Sequence, residues 1–279
     1  MNSKNSTTRN LKTKTVLPFI IITFAITWGI ALLFLFFYEP MEAIFGEIGY
    51  TNPLYILAVY APAIAAVILV WFHHGFPGLI KYLRRLTLWR MPFLWWLFLI
   101  FGVPFLFYLA AFIQGTYGEA FPFSPWETSF SALLIMLLLG PVEEFGWRGF
   151  MLPLMQRRFS PLSASLIIGF IWGVWHFPAF IIGGTPHSEW IFVEFFIGAV
   201  ALSIIMTAMF NVTKGSILML ALLHFQLNNP IWPDAQRWVT ILFALAALAV
   251  VYIYREAMLR GSNAVVDVLL PDSKETKDY

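Results

Sequence analysis

The chain contains no cysteine among its 279 residues, and only 11% of its side chains are charged. The first absence excludes disulfides, thiolate metal centres and a cysteine nucleophile. The second excludes an ordinary water-soluble globule, which carries about 25% charged residues. Seventeen basic and fifteen acidic side chains cannot cover a core drawn from a sequence that is 60% hydrophobic, whereas a bilayer removes that need. Net charge is only +2, and the basic residues are dispersed through short segments, so no nucleic-acid partner is expected. Internal repeats, linkers and low-complexity stretches are also missing, which points to one domain and away from transporters built on paired repeats.

What the sequence has in abundance is long apolar runs, and its mean hydropathy is +0.78. Runs near 20 residues can cross a hydrocarbon core of about 30 Å as helices. Eight are present: Val16 to Tyr38, Leu54 to Phe72, Met91 to Ile113, Phe130 to Gln156, Leu162 to Ile182, Trp190 to Phe210, Ser216 to Asn228 and Val239 to Tyr254. The expected fold is all-α, a polytopic membrane helical bundle of about eight transmembrane helices. Residues 1–15 form a basic leader, 16–260 a single transmembrane domain, and 261–279 a polar C-terminal tail whose end frays.

With eight alternating spans, Lys4, Arg9, Lys12 and Lys14 share one side with Lys81, Arg84, Arg85, Arg90, Arg157, Arg158, Lys214, Arg255, Arg260, Lys274 and Lys277. Outside the spans only Arg237 falls on the other side, and a wrong span count would scramble that bias. The expectation is a multi-pass plasma-membrane protein with both termini cytoplasmic, the first span serving as an uncleaved signal anchor and the bilayer as its partner.

Ionisable groups inside spans cost at least a few kcal/mol on insertion scales, so each needs a partner or a task. Glu143, Glu144, Arg148, His176, His224 and the amide of Asn228 are such groups. Glu144 and Arg148 are four apart, on one helical face, and form a charge-assisted pair that supports structure; Glu143 points elsewhere. Both Glu143 and His176 lie 15 residues from the turn at Phe159-Ser160-Pro161, about 22 Å up their helices at 1.5 Å per residue, hence at matching depth. His224 and Asn228 project from one face about 15 and 21 Å along the seventh helix, with Gln226 turned away. A carboxylate, two imidazoles and an amide at one depth are hard to explain as packing.

Glu143-Glu144-xxx-Arg148, His176 closing Trp172-Gly-Val-Trp-His, and His224-xxx-Asn228, in that order on successive late spans, resemble the CPBP family of intramembrane proteases, which includes the Rce1-type CAAX prenyl endopeptidases and the bacterial Abi proteins. The resemblance covers about 130–230. It implies an endopeptidase acting on a membrane-bound protein or peptide, with a prenylated CAAX type among the candidates. Glu143 and His176 would activate water, His224 and Asn228 would donate to the oxyanion, and Glu144 and Arg148 would hold the helix and orient Glu143. One departure is Trp172, where the family usually has phenylalanine; the exchange is expected to repack the pocket without removing the chemistry.

Other readings stay open on the same residues. Glu143, His176 and His224 make the ligand set of many catalytic zinc sites. Metal-free chemistry is favoured because Asn228 sits where an oxyanion donor is useful and zinc gains little. A proton-relay transporter or a non-catalytic immunity protein would also bury such groups. His73, His74 and His187 read as solvated interface residues, Glu194 as snorkelling outward, Lys81 to Arg90 as an amphipathic segment on the inner leaflet, and the phenylalanines and tryptophans as mostly lipid-facing bulk.

Overall fold

The computed structural model describes residues 11–271. The basic residues Lys4, Arg9, Lys274 and Lys277 lie outside the described residues. Among the described residues the chain is helical, with no strand. Among these residues seven helices are long and apolar enough to cross a membrane: α1 Thr13–Phe36, α2 Pro53–Thr87, α3 Phe93–Gln114, α4 Thr128–Gln156, α5 Pro161–Ile181, α6 Phe192–Val212 and, after the shorter apolar α7 Ile217–Leu227, α8 Gln236–Ile253. The chain is therefore a multi-pass helical membrane protein.

Side-chain apolarity alone does not hold helices together in lipid, so close backbone approach must do more of the work. α6 packs between α5 and α8, and α1 packs on α2. A Cβ on Gly169 of α5 would lie 2.8 Å from the Cα of Val200 on α6, so only glycine permits that approach. Gly146 of α4 likewise meets the backbone of Pro62 on α2, where a Cβ would fall 2.6 Å from the carbonyl.

Polar side chains fasten the two ends of the bundle. At one end the buried Arg85 donates from Nε to the Val268 carbonyl at 2.9 Å, from Nη1 to Gly215 at 2.8 Å and from Nη2 to Asp267. Arg157 donates to the carbonyls of Val266 and Leu11, and Gln156 and Asn211 bond each other and the backbone of Val265. Residues 261–271 are thus packed onto this end of the helices. Within the segment from Lys81 to Arg90, expected at the surface, Tyr82 and Arg85 are buried while Arg84, Thr87, Trp89 and Arg90 are exposed. α2 kinks at Gly75 (φ 61°, ψ −166°), and Arg85 beyond the kink is buried with its guanidinium bonded to three carbonyls. At the opposite end Asn52 caps α2 through Leu54 N at 2.9 Å and Tyr55 N at 3.2 Å, and Arg237 pairs with Glu194 at 2.7 Å. Glu194 therefore has a partner, and is not simply turned to solvent.

α4 is not one regular helix. An α-helical stretch ends at Leu138, Gly140–Val142 form a tight turn, and Phe145–Met151 is a π-helix before the α geometry resumes. Pro141 has no N–H to continue the ladder, and freed carbonyls at membrane depth need donors. The Tyr60 hydroxyl supplies one to Leu138 O at 3.0 Å and Tyr82 supplies one to Phe145 O, both from α2. The break places Glu143 and Glu144 between the two segments, where their side chains leave in different directions.

Candidate active site

Glu143 is 4% exposed, and its Oε2 accepts a hydrogen bond from the Trp172 indole N–H at 2.7 Å. The same oxygen lies 4.0 Å from His176 Nε2. His176 caps the C-terminus of the α-helical part of α5, and its Nδ1 is 2.9 Å from the carbonyl of Trp172. A carbonyl only accepts, so Nδ1 carries the proton in that bond, and in the neutral ring the Nε2 lone pair faces Glu143.

Glu144 is fully buried and serves two donors through one oxygen: Oε1 receives Arg148 Nη1 at 3.0 Å and His224 Nδ1 at 2.6 Å. The i,i+4 pair with Arg148 stands as the spacing indicates. Sequence reasoning missed the link from Glu144 to His224. Helical spacing reports neighbours on one helix, whereas this contact joins residues 80 apart. It turns His224 so that Nε2 faces the cavity. Asn228 is one turn on, at the C-cap of α7, with its backbone N–H bonded to the His224 carbonyl at 3.0 Å. Gly140 makes room for both: a Cβ there would collide with Asn228 Nδ2 and fall 3.0 Å from His224 Nε2.

Glu143, His176, His224 and Asn228 all line one cavity of about 670 Å³, together with Gly140, Trp172 and Trp175. Glu144 and Arg148 stand behind its wall. The structure thus assembles the four residues matched for depth in the sequence and adds two whose part in the site the sequence did not reveal. Trp172 is the first: besides bonding Glu143, its ring lies 4.4 Å below the Arg148 guanidinium and meets the rings of His176 and His224 edge-on. It does more than repack the pocket, because its N–H holds the carboxylate. Its departure from the family's phenylalanine was the available signal.

His187 is the second, and it corrects the expectation of a solvated interface residue. The loop between α5 and α6 folds its ring back against His176, Phe180, Trp190 and Phe195 in the cavity wall. Burial lowers its pKa from the ordinary histidine value to about 4. His73, by contrast, is exposed, with Nδ1 against the Leu69 carbonyl.

For the zinc alternative, both imidazoles present Nε2 and have Nδ1 committed, an arrangement common among metal ligands. The third donor does not join them. Among the described residues no three His, Cys, Asp or Glu side chains come together closely enough to hold a metal ion. The donor set as arranged does not fit a zinc ion.

Fold and site define a polytopic helical membrane protein with a carboxylate and two imidazoles at the wall of an intramembrane cavity. Residues 125–229, which contain every one of these groups, match the family model described as Type II CAAX prenyl endopeptidase Rce1-like. A curated relative, CAAX prenyl protease 2 of Methanococcus maripaludis, is 30% identical over 175 residues, covering 58% of this chain and 62% of the relative. The chain thus matches less than two thirds of that relative's length. The site-bearing region of the chain is thus similar to the Rce1-like endopeptidases.

Proposed function

We propose that the protein is an intramembrane endopeptidase that hydrolyses a peptide bond of a membrane-associated substrate with water activated by Glu143 and His176. The observation that carries this reading is the 4.0 Å gap between Glu143 Oε2 and His176 Nε2. One water with hydrogen bonds of about 2.8 Å to each atom bridges such a gap. Its two protons then point at two acceptors and its lone pair is left for the substrate carbonyl carbon. As the C–O bond forms, Glu143 takes the proton, and it returns it to the amine nitrogen as the C–N bond breaks. Trp172 keeps the carboxylate in place throughout, because its N–H fixes one oxygen.

The oxyanion formed on the carbonyl needs donors positioned in advance, each worth about 3–4 kcal/mol. Asn228 Nδ2 provides one. His224 provides another from Nε2 when its ring carries both protons, and Glu144, bonded to Nδ1, is the counter-charge for that form. Glu144 is in turn held by Arg148. Glu144 thus supports the oxyanion donor, a different task from orienting Glu143. The relative's name speaks of a prenylated CAAX substrate; for this chain, the apolar cavity walls support an apolar or lipid-modified peptide.

The test is proteolysis by purified Glu143→Gln and His176→Ala in detergent or liposomes. Each is expected to retain less than a few per cent of wild-type turnover while eluting as a folded protein. Activity of Glu143→Gln near wild type would end the water-activation role. About one zinc per chain that tracks activity, lost in His176→Ala and His224→Ala and retained in Asn228→Ala, would replace this mechanism by a metal-dependent one.

A further inference from the structure

The position of the cavity in the bundle bears on where its substrate comes from. Its mouth is lined by Tyr50 from the segment between α1 and α2, Phe123 between α3 and α4, His187 and Trp190 between α5 and α6, and Trp232 between α7 and α8. All four segments lie at one end of the bundle. None of the lining residues comes from the connections at the other end, 88–92, 157–160, 213–216 or beyond 254. The catalytic groups are displaced the same way. His176 and Asn228 cap helices that start at the far end, and Glu143 is 14 residues, about 21 Å at helical rise, before Arg157.

The two ends also differ in charge. Lys12, Lys14, Arg84, Arg90, Arg158 and Lys214 stand with Arg85 and Arg157 at the end away from the mouth. At the mouth end, Arg237 is the one lysine or arginine among the described residues, and Glu194 neutralises it at 2.7 Å. Lysine and arginine in short connections stay on the cytoplasmic side of a membrane during insertion. The cavity mouth and the basic surface are therefore on opposite faces.

We propose that the cavity opens to the non-cytoplasmic face of the membrane and receives a peptide presented there next to a membrane anchor. The orientation follows from charge and cavity geometry alone; the substrate assignment rests on the protease reading above. A chain with no cysteine permits a direct test. Single cysteines are placed at Glu189, exposed at the mouth, at Ala58, in the cavity wall, and at Ser262, exposed at the basic end. Only variants of the full chain that elute as monodisperse protein are used. A fluorescent protein fused after Tyr279, which matures only in the cytoplasm, reads the orientation independently.

Treated with a charged, membrane-impermeant methanethiosulfonate in intact cells, Glu189→Cys and Ala58→Cys are expected to label, and Ser262→Cys only after permeabilisation. Labelling of Ser262→Cys in intact cells with protection of Glu189→Cys would overturn the orientation. Labelling of Glu189→Cys with Ala58→Cys inert even after permeabilisation would overturn the open mouth. For the substrate, one reporter peptide is attached to a single-pass anchor on the non-cytoplasmic face and, in a second strain, on the cytoplasmic face. Cleavage of the first alone, lost in Glu143→Gln, is expected. Cleavage of the cytoplasmic copy overturns the proposal; cleavage of neither, with labelling as expected, overturns the protease reading and leaves the orientation standing.

Discussion

Replacing Trp172 by phenylalanine removes one hydrogen bond from the centre while keeping an aromatic ring. The indole N–H is 2.7 Å from Glu143 Oε2, and both residues are buried. A hydrogen bond to a charged group contributes about 1.5–3 kcal/mol. If that energy holds Glu143 in its reactive position, its loss lowers kcat about 10- to 150-fold, since each 1.36 kcal/mol is tenfold in rate. KM should change little, because the ground-state substrate does not use this bond. The smaller ring also leaves an unfilled volume and weakens the stacking under Arg148, at a cost of about 1–3 kcal/mol in stability. Packing and positioning separate in a third variant carrying β-(3-benzothienyl)alanine at 172, which keeps the shape of tryptophan without the N–H. Turnover is measured on a fluorogenic peptide at saturating substrate, beside melting of each purified variant. The expected result is a benzothienyl variant as stable as wild type with kcat reduced as far as in Trp172→Phe. Full activity of that variant would refute the positioning role.

Arg148→Ala leaves Glu144 with His224 as its remaining partner, and breaking a buried pair costs about 3–5 kcal/mol. Denaturant or thermal melting should show that loss, and a stable but inactive Arg148→Ala would place the guanidinium against substrate instead. Asn228→Ala should reduce kcat about 100-fold with KM nearly constant, as removal of an oxyanion donor does; a change in KM alone would contradict it. Gly140→Ala pushes a methyl group into Asn228 and His224, so turnover should fall at least as far as in Asn228→Ala while helix content by circular dichroism is kept. His187 is held neutral in the wall with a pKa of about 4, whereas the unfolded chain takes up that proton near pH 6.5. The unfolded state thus binds more protons between those values, so stability should fall on acidification from pH 6.5 toward 4. His187→Phe should flatten that part of a melting-temperature profile; an unchanged slope would show the ring to be solvated.

The number of helices, their alternation and the asymmetry of charge were legible in the linear chain. The bilayer reads apolar length and basic flanks directly, and neither depends on which helix touches which. The depth match of Glu143 and His176 followed from helical rise, which counts residues from a shared turn, and the Glu144–Arg148 pair from the four-residue repeat. What needed the tertiary structure were contacts between helices whose separation in sequence carries no period. Glu144 holds His224 across 80 residues and Trp172 holds Glu143 across 29. Arg85 reaches carbonyls more than 100 residues away. His187 looked solvated because a loop histidine usually is, until the loop's fold-back put its ring in the cavity wall. The π-helix after Glu144 was hidden for a related reason. Pro141 announces a break, but the geometry that replaces the helix depends on Tyr82 and Tyr60 of a neighbouring helix satisfying the freed carbonyls. Sequence determines which groups must be buried and how deep; only packing decides which of them meet.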